Sequence, residues 1–169
     1  MHKKIVDIKT SFTAADSIPL KVLLDPHLVM HAKGKNRLLP IHIQILPTNK
    51  CNMNCSFCSC SSRDKDLEID ISLAKKIIDK CKKAGTKAVT ITGGGEPLMY
   101  PYFAELLDYF HMNSIKIGLV TNGLLLHKIP KETLDKITWC RISNDDHRTL
   151  SGKYREHLSL VVKRSSKVD

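Results

Sequence analysis

Three of the six cysteines in this 169-residue chain, Cys51, Cys55 and Cys58, stand in the spacing C-x3-C-x2-C. Random placement of the cysteines yields about 0.008 such matches, so the spacing asks for a chemical reason. Three thiolates on one short loop can converge on a single centre, and soft sulfur selects an iron–sulfur cluster, zinc or copper(I). A [4Fe–4S] cube normally takes four cysteines. Three leave one iron open, by the logic that separates catalytic from structural metal sites. Cys60 extends the spacing to C-x3-C-x2-C-x-C and offers a fourth thiolate that would close a structural zinc or iron–sulfur site. Against closure, two cysteines one residue apart usually point different ways, and structural zinc pairs prefer wider spacing.

Further along, Gly93-Gly94-Gly95-Glu96-Pro97 is a glycine-rich segment in which backbone can approach a ligand closely, or simply a tight turn. Asn122 stands in Thr-Asn-Gly, a strong turn signal, and Ser143 in Arg-Ile-Ser-Asn. The run Asn144, Asp145, Asp146, His147 reads as a polar strand–helix loop in preference to a carboxylate–histidine site. Cys81 and Cys140, set among apolar residues, read as buried small hydrophobes. Met53, Met99 and Met112 read as packing residues.

These segments need a scaffold, and the chain from residue 40 onward has a regular one. Ile41, Ile43 and Ile45 alternate with His42 and Gln44, which predicts a strand leading directly into the cysteine loop. Leu73, Ile77, Ile78 and Cys81 share one helical face, with Asp70 or Ser72 to cap the start and Gly85 to end the helix. Residues 87–92 predict a second strand ending at the glycines, and 102–112 a second helix. A third strand, with Ile115, Ile117 and Leu119, ends at Thr121-Asn122-Gly123. A short helical region including 130–135 follows, then a fourth strand at 137–142. Repeated strand–loop–helix units require parallel strands with crossover helices, and each polar segment falls just after a strand, where α/β proteins place their chemistry. Residues 1–39, broken by Pro19, Pro26 and Gly34, read as an N-terminal extension with one short helix. Residues 40–164 form the core, with a closing helix at 154–164, and 165–169 a polar tail.

With the cysteine loop, the Gly-Gly-Glu-Pro segment and this order of elements, the sequence resembles the radical S-adenosylmethionine (radical SAM) superfamily, over roughly residues 40–145. The resemblance implies an α/β fold, a partial (β/α) barrel with about four of the usual six βα units, as a truncated or minimal member. It implies a [4Fe–4S] cluster on Cys51, Cys55 and Cys58, with S-adenosyl-L-methionine on the open iron. Phe57 fits the aromatic found before the third cysteine, near adenine. Gly93, Gly94, Gly95 and Glu96 correspond to a motif beside the methionine amino group, where Glu96 could accept from an ammonium or fix its loop. Asn122 and Ser143 occupy positions from which similar enzymes turn polar groups towards the cofactor. One-electron reduction then gives methionine and a 5′-deoxyadenosyl radical, which takes hydrogen from a substrate. The cofactor carries this chemistry, and no conventional acid–base triad is apparent. The implied partners are a one-electron reductant such as flavodoxin or ferredoxin, a peptide, RNA or small-metabolite substrate, and a subunit that completes the barrel.

Composition sets the outer bounds. Apolar residues make up 42% of the chain, enough for a core, and no run approaches the roughly 18 apolar residues of a membrane span. The start lacks a signal-peptide apolar region and the clustered cysteines suit metal binding, so a reducing, cytoplasmic setting is expected. The charge of +10 is spread among acids and reads as a solvated surface, with no aromatic-interleaved nucleic-acid module.

Overall fold

The computed structural model describes residues 40–143. The N-terminal helix, the polar run at 144–147, the closing helix and the polar tail expected from the sequence lie outside these residues. Within them, β1 (His42–Ile45), β2 (Ala88–Ile91), β3 (Lys116–Thr121) and β4 (Trp139–Ile142) form one sheet. Every pairing is parallel and the spatial order is β1-β2-β3-β4. The crossovers carry α1 (Ile71–Lys83), α2 (Phe103–Met112) and α3 (Lys131–Leu134), with short 3-10 turns at Pro97–Met99 and Leu126–Lys128.

Alternation along the strands decides where the core lies. Ile43, Ile45, Val89, Ile91, Ile117, Leu119, Cys140 and Ile142 belong to one apolar cluster with Ile78 of α1, with Leu106, Leu107 and Phe110 of α2, and with Leu134 of α3. The helices therefore cover a single face. Strand order that follows chain order without reversal, with helices on one side, is the winding of a barrel wall; a doubly wound sheet reverses and carries helices on both faces. The opposite face receives His42, Gln44, Ala88, Thr90, Gly118 and Trp139. There His42 Nε2 lies 2.9 Å from Thr90 Oγ1, and the Trp139 indole fills the space above Gly118, where a Cβ would sit 2.2 Å from Cε2.

The helix α1 starts and stops where the sequence places its signals. Asp70 Oδ1 accepts from the Leu73 N–H at 3.0 Å, and Gly85 takes φ 90° just beyond the last turn. The capping hydrogen bonds from the Ser72 hydroxyl and the Leu73 N–H hold the Asp70 carboxyl below its usual pKa. Its buried face keeps Ile78 of the expected set but departs from that set at Leu73 and Ile77. Ala74 and Ile78 are fully buried, whereas Leu73 is 50% exposed and Ile77 37%. Small Ala74 lets the helix approach closely, and the buried line runs through Ala74 and Ile78, leaving Leu73 and Ile77 at its flank. Met112, assigned to packing by sequence, is 76% exposed, because the buried stripe of α2, Phe103, Leu106, Leu107 and Phe110, has ended before it.

This packing is testable by urea denaturation. Ile78→Ala should cost about 2–5 kcal/mol, while Leu73→Ser should stay within about 0.5 kcal/mol. Comparable costs at the two positions would restore the face read from the sequence, which holds Leu73 and Ile78 together.

Candidate cofactor site

The cysteine loop leaves β1 and returns beside its own starting point. The Asn49 N–H donates to Leu67 O at 2.9 Å and the Ile69 N–H to Pro47 O at 2.9 Å, an antiparallel bridge that closes the base of the loop. Side chains reinforce it. Buried Thr48 donates through Oγ1 to Glu68 Oε1 at 2.8 Å, and Lys50 Nζ donates to Glu68 Oε2 at 3.0 Å. Burial pushes the Glu68 carboxyl up, but the hydrogen bonds from Lys50 and Thr48 and the Lys50 charge together hold it below the usual carboxylate value.

The glycine segment after β2 backs directly onto that base. The Gly95 N–H donates to Thr48 O at 3.2 Å and the Glu96 N–H to Lys50 O at 2.7 Å. A Cβ on Gly95 would lie 2.1 Å from Lys50 O, so only glycine permits this approach. Glu96, 2% exposed, then reaches the third loop. Its Oε1 accepts from the Thr121 hydroxyl at 2.5 Å and the Leu98 N–H at 3.1 Å, and Oε2 accepts from the Asn122 N–H at 2.7 Å. Of the two roles offered by the sequence, fixing the loop is the one its geometry displays. An ionised carboxylate is an acceptor only, which suits a position surrounded by donors.

The loops enclose an open cleft of ≈ 370 Å³ at the carboxyl ends of the strands, within the roughly 300–1,000 Å³ typical of small-molecule sites. Cys51, Cys55, Cys58, Phe57, Gly93, Gly95, Glu96, Asn122 and Ser143 all line it. Gly94 lies outside the lining; a Cβ there would meet Asn49 Oδ1 at 2.4 Å, so it serves the packing of the two loops. Cys60 also lies outside it, near the Ser59 hydroxyl at 3.9 Å. Asn122 is turn-forming and cleft-lining at once: Oδ1 accepts from the Leu124 N–H at 3.0 Å, and Nδ2 donates to Asn52 Oδ1 of the cysteine loop at 2.7 Å. The Ser143 N–H extends the ladder by donating to Thr121 O at 2.9 Å.

Phe57 is 64% exposed at the cleft margin. Met53, read as a packing residue, lines the cleft instead. Thr92, Val120 and Thr121 do so as well without having been singled out, although their places at or just beyond the ends of β2 and β3 were a usable signal. Cys140, expected to be buried, is half-buried against the core; desolvation, then the negative charge of Glu96, pushes its thiol up to about 12. Cys81 is half-buried on α1.

A one-sided parallel sheet with a thiol-lined cleft at its carboxyl edge defines an α/β protein of the barrel-wall type. The family model of the Radical SAM superfamily matches residues 45–138, and the chain belongs to that superfamily. It is 36% identical over 75 residues to the 7-carboxy-7-deazaguanine synthase of Clostridium acetobutylicum, covering 43% of this chain and 34% of that one. To the antilisterial bacteriocin subtilosin biosynthesis protein AlbA of Bacillus subtilis it is 33% identical over 103 residues, covering 60% and 23%. Among solved structures, Streptococcus suis SuiB bound to S-adenosylmethionine aligns with a TM-score of 0.52 at 27% identity, over 72% of this chain and 28% of SuiB. The chain thus spans about a third or less of the length of these relatives. The superfamily uses a [4Fe–4S] cluster with S-adenosylmethionine, and the four-strand sheet is a partial form of its barrel.

Glu96→Gln would set an amide donor against donors it now accepts from, and should lower stability by about 1–3 kcal/mol in urea titration even without cofactor. An unchanged midpoint would mean the carboxylate does not tie the loops. Cys140 adds a pH dependence. With a folded value of about 12 against 9.0 for a free thiol, its contribution is fully present below pH 9 and is lost as pH rises towards 12. Cys140→Ala should flatten that alkaline slope in pH-dependent melting.

Proposed function

We propose that this protein is a radical SAM enzyme, or the radical-generating part of one. Cys51, Cys55 and Cys58 hold three irons of a [4Fe–4S] cluster, and S-adenosyl-L-methionine lies along the cleft. The single observation that carries the reading is that all three cysteines line the same cleft as Gly93, Gly95, Asn122 and Ser143, from four successive strand ends. The donor set fits the group by its chemistry, while among the described residues the three thiols are not drawn together as a preformed metal cluster. The thiols are soft ligands on a loop with a closed base, and glycine backbone beside them gives a polar ligand close access. When bound and reduced, the cluster supplies one electron to the sulfonium, releasing methionine and the 5′-deoxyadenosyl group as a radical competent to abstract hydrogen.

The chain's own residues bind and orient. Exposed Phe57 offers a flat apolar surface at the cleft margin for adenine. Gly93 and Gly95 bring backbone up to the methionine end, with Gly94 setting the loop behind them. Glu96 acts from beneath, holding the β2 and β3 loops at a fixed separation. Asn122 and Ser143 present polar groups from the far wall for the ribose or carboxylate.

In this reading a one-electron donor of the flavodoxin or ferredoxin kind docks near the cluster loop. The protein works in a reducing, cytoplasmic setting, in keeping with six free thiols, and no helix among the described residues is long and apolar enough to cross a membrane. The substrate is a peptide, an RNA nucleotide or a small metabolite. The open β4 edge of the described sheet is where further barrel strands, from this chain or a partner subunit, would add.

Anaerobic reconstitution tests the proposal. The reduced protein should give a [4Fe–4S] electron paramagnetic resonance signal that changes on adding S-adenosylmethionine, and turnover with reductant should release 5′-deoxyadenosine. Cys55→Ala should lose the cluster and Cys60→Ala should keep it. Equal iron loss from both variants would favour a four-thiolate structural site, and a spectrum indifferent to the cofactor would end the open-iron reading.

A further inference from the structure

One cation in the cysteine loop is aimed at sulfur. Arg63 Nε donates to Asn49 O at 2.8 Å, and Nη1 donates to Cys60 O at 2.6 Å and approaches Cys58 Sγ at 3.7 Å. The guanidinium thus joins the residue two places before the first cysteine of the motif to the residue two places after the last. Lys50 also adjoins the motif, but its ammonium is committed to Glu68 at 3.0 Å. Arg63 is half-buried and rests against the glycine loop, where a Cβ on Gly94 would be 3.5 Å from Arg63 Cδ.

We propose that Arg63 is a positioning residue that fixes the Cys58 sulfur and raises the reduction potential of the cluster it ligates. The inference rests on the cluster reading above and adds a determinant outside the motif. The physical argument has two parts. A planar guanidinium with donors in a fixed fork can satisfy two carbonyls and a sulfur from one position, which a lysine ammonium on a flexible stem cannot reproduce. Hydrogen bonds and positive charge at a ligand sulfur stabilise the form with one more electron, and such outer groups tune iron–sulfur potentials over a wide range.

The test uses the full chain, reconstituted anaerobically, as wild type, Arg63→Gln and Arg63→Lys. Iron content and the midpoint potential are read by redox titration followed by electron paramagnetic resonance. Arg63→Gln should retain the cluster with its potential displaced to more negative values, and Arg63→Lys, which keeps the charge but loses the fork, should fall between the two. Loss of iron from Arg63→Gln with an intermediate potential in Arg63→Lys supports the same role. Coincident potentials in cluster-bearing proteins overturn the role of Arg63 and leave the cluster reading intact. An unsubstituted protein that takes up no cluster overturns both.

Discussion

A single buried carboxylate holds the site together. Glu96 sits in the wall between the ends of β2 and β3, and burying an unsatisfied charge there would be costly. Donors from two loops therefore have to surround it, and that requirement dictates the local structure. The Asn122 N–H can reach Oε2 only if the chain turns sharply after Thr121, and the Leu98 N–H reaches Oε1 only if a 3-10 turn begins at Pro97. The backbone N–H of the same residue holds Lys50 O. One residue thus couples three loops that are distant in sequence, and the cleft between them takes its width from that coupling.

The cysteine loop solves a different problem. A ligand loop of polar residues cannot order itself by apolar burial, and ordering it on binding would subtract from affinity for the bound group. Here the loop is closed at its base by backbone pairing, by the Thr48–Glu68–Lys50 network and by Arg63. Its tip is left to the three thiols. The order of construction is a hydrogen-bonded neck and a cysteine-bearing tip, and only the tip is visible as a spacing pattern.

That division explains what the sequence disclosed. Four strands, their parallel order and the three loops of the site follow from alternation and from what stands after each strand, because burial of one sheet face imposes a period that residues such as Ile43, Ile45, Ile117 and Leu119 display openly. The cap at Asp70 and the stop at Gly85 were legible for the same local reason. What depends on tertiary contact was not. The return of 67–69 beside 47–49, the role of Arg63 and the cleft position of Met53 have no periodic signature, since each arises from how one loop folds against another. The buried face of α1 was read correctly at Ile78 and misjudged at Leu73 and Ile77, because apolar bulk draws attention to them, whereas close packing against the core selected small Ala74.

The Trp139 indole resting on Gly118 has a consequence for anyone handling this protein. It is the sole tryptophan of the chain, and it lies across β3 and β4 on the side of the sheet away from the helices. Its fluorescence is therefore a built-in optical probe of that surface, sensitive to whatever is laid against it and to the parting of the last two described strands, with no label required.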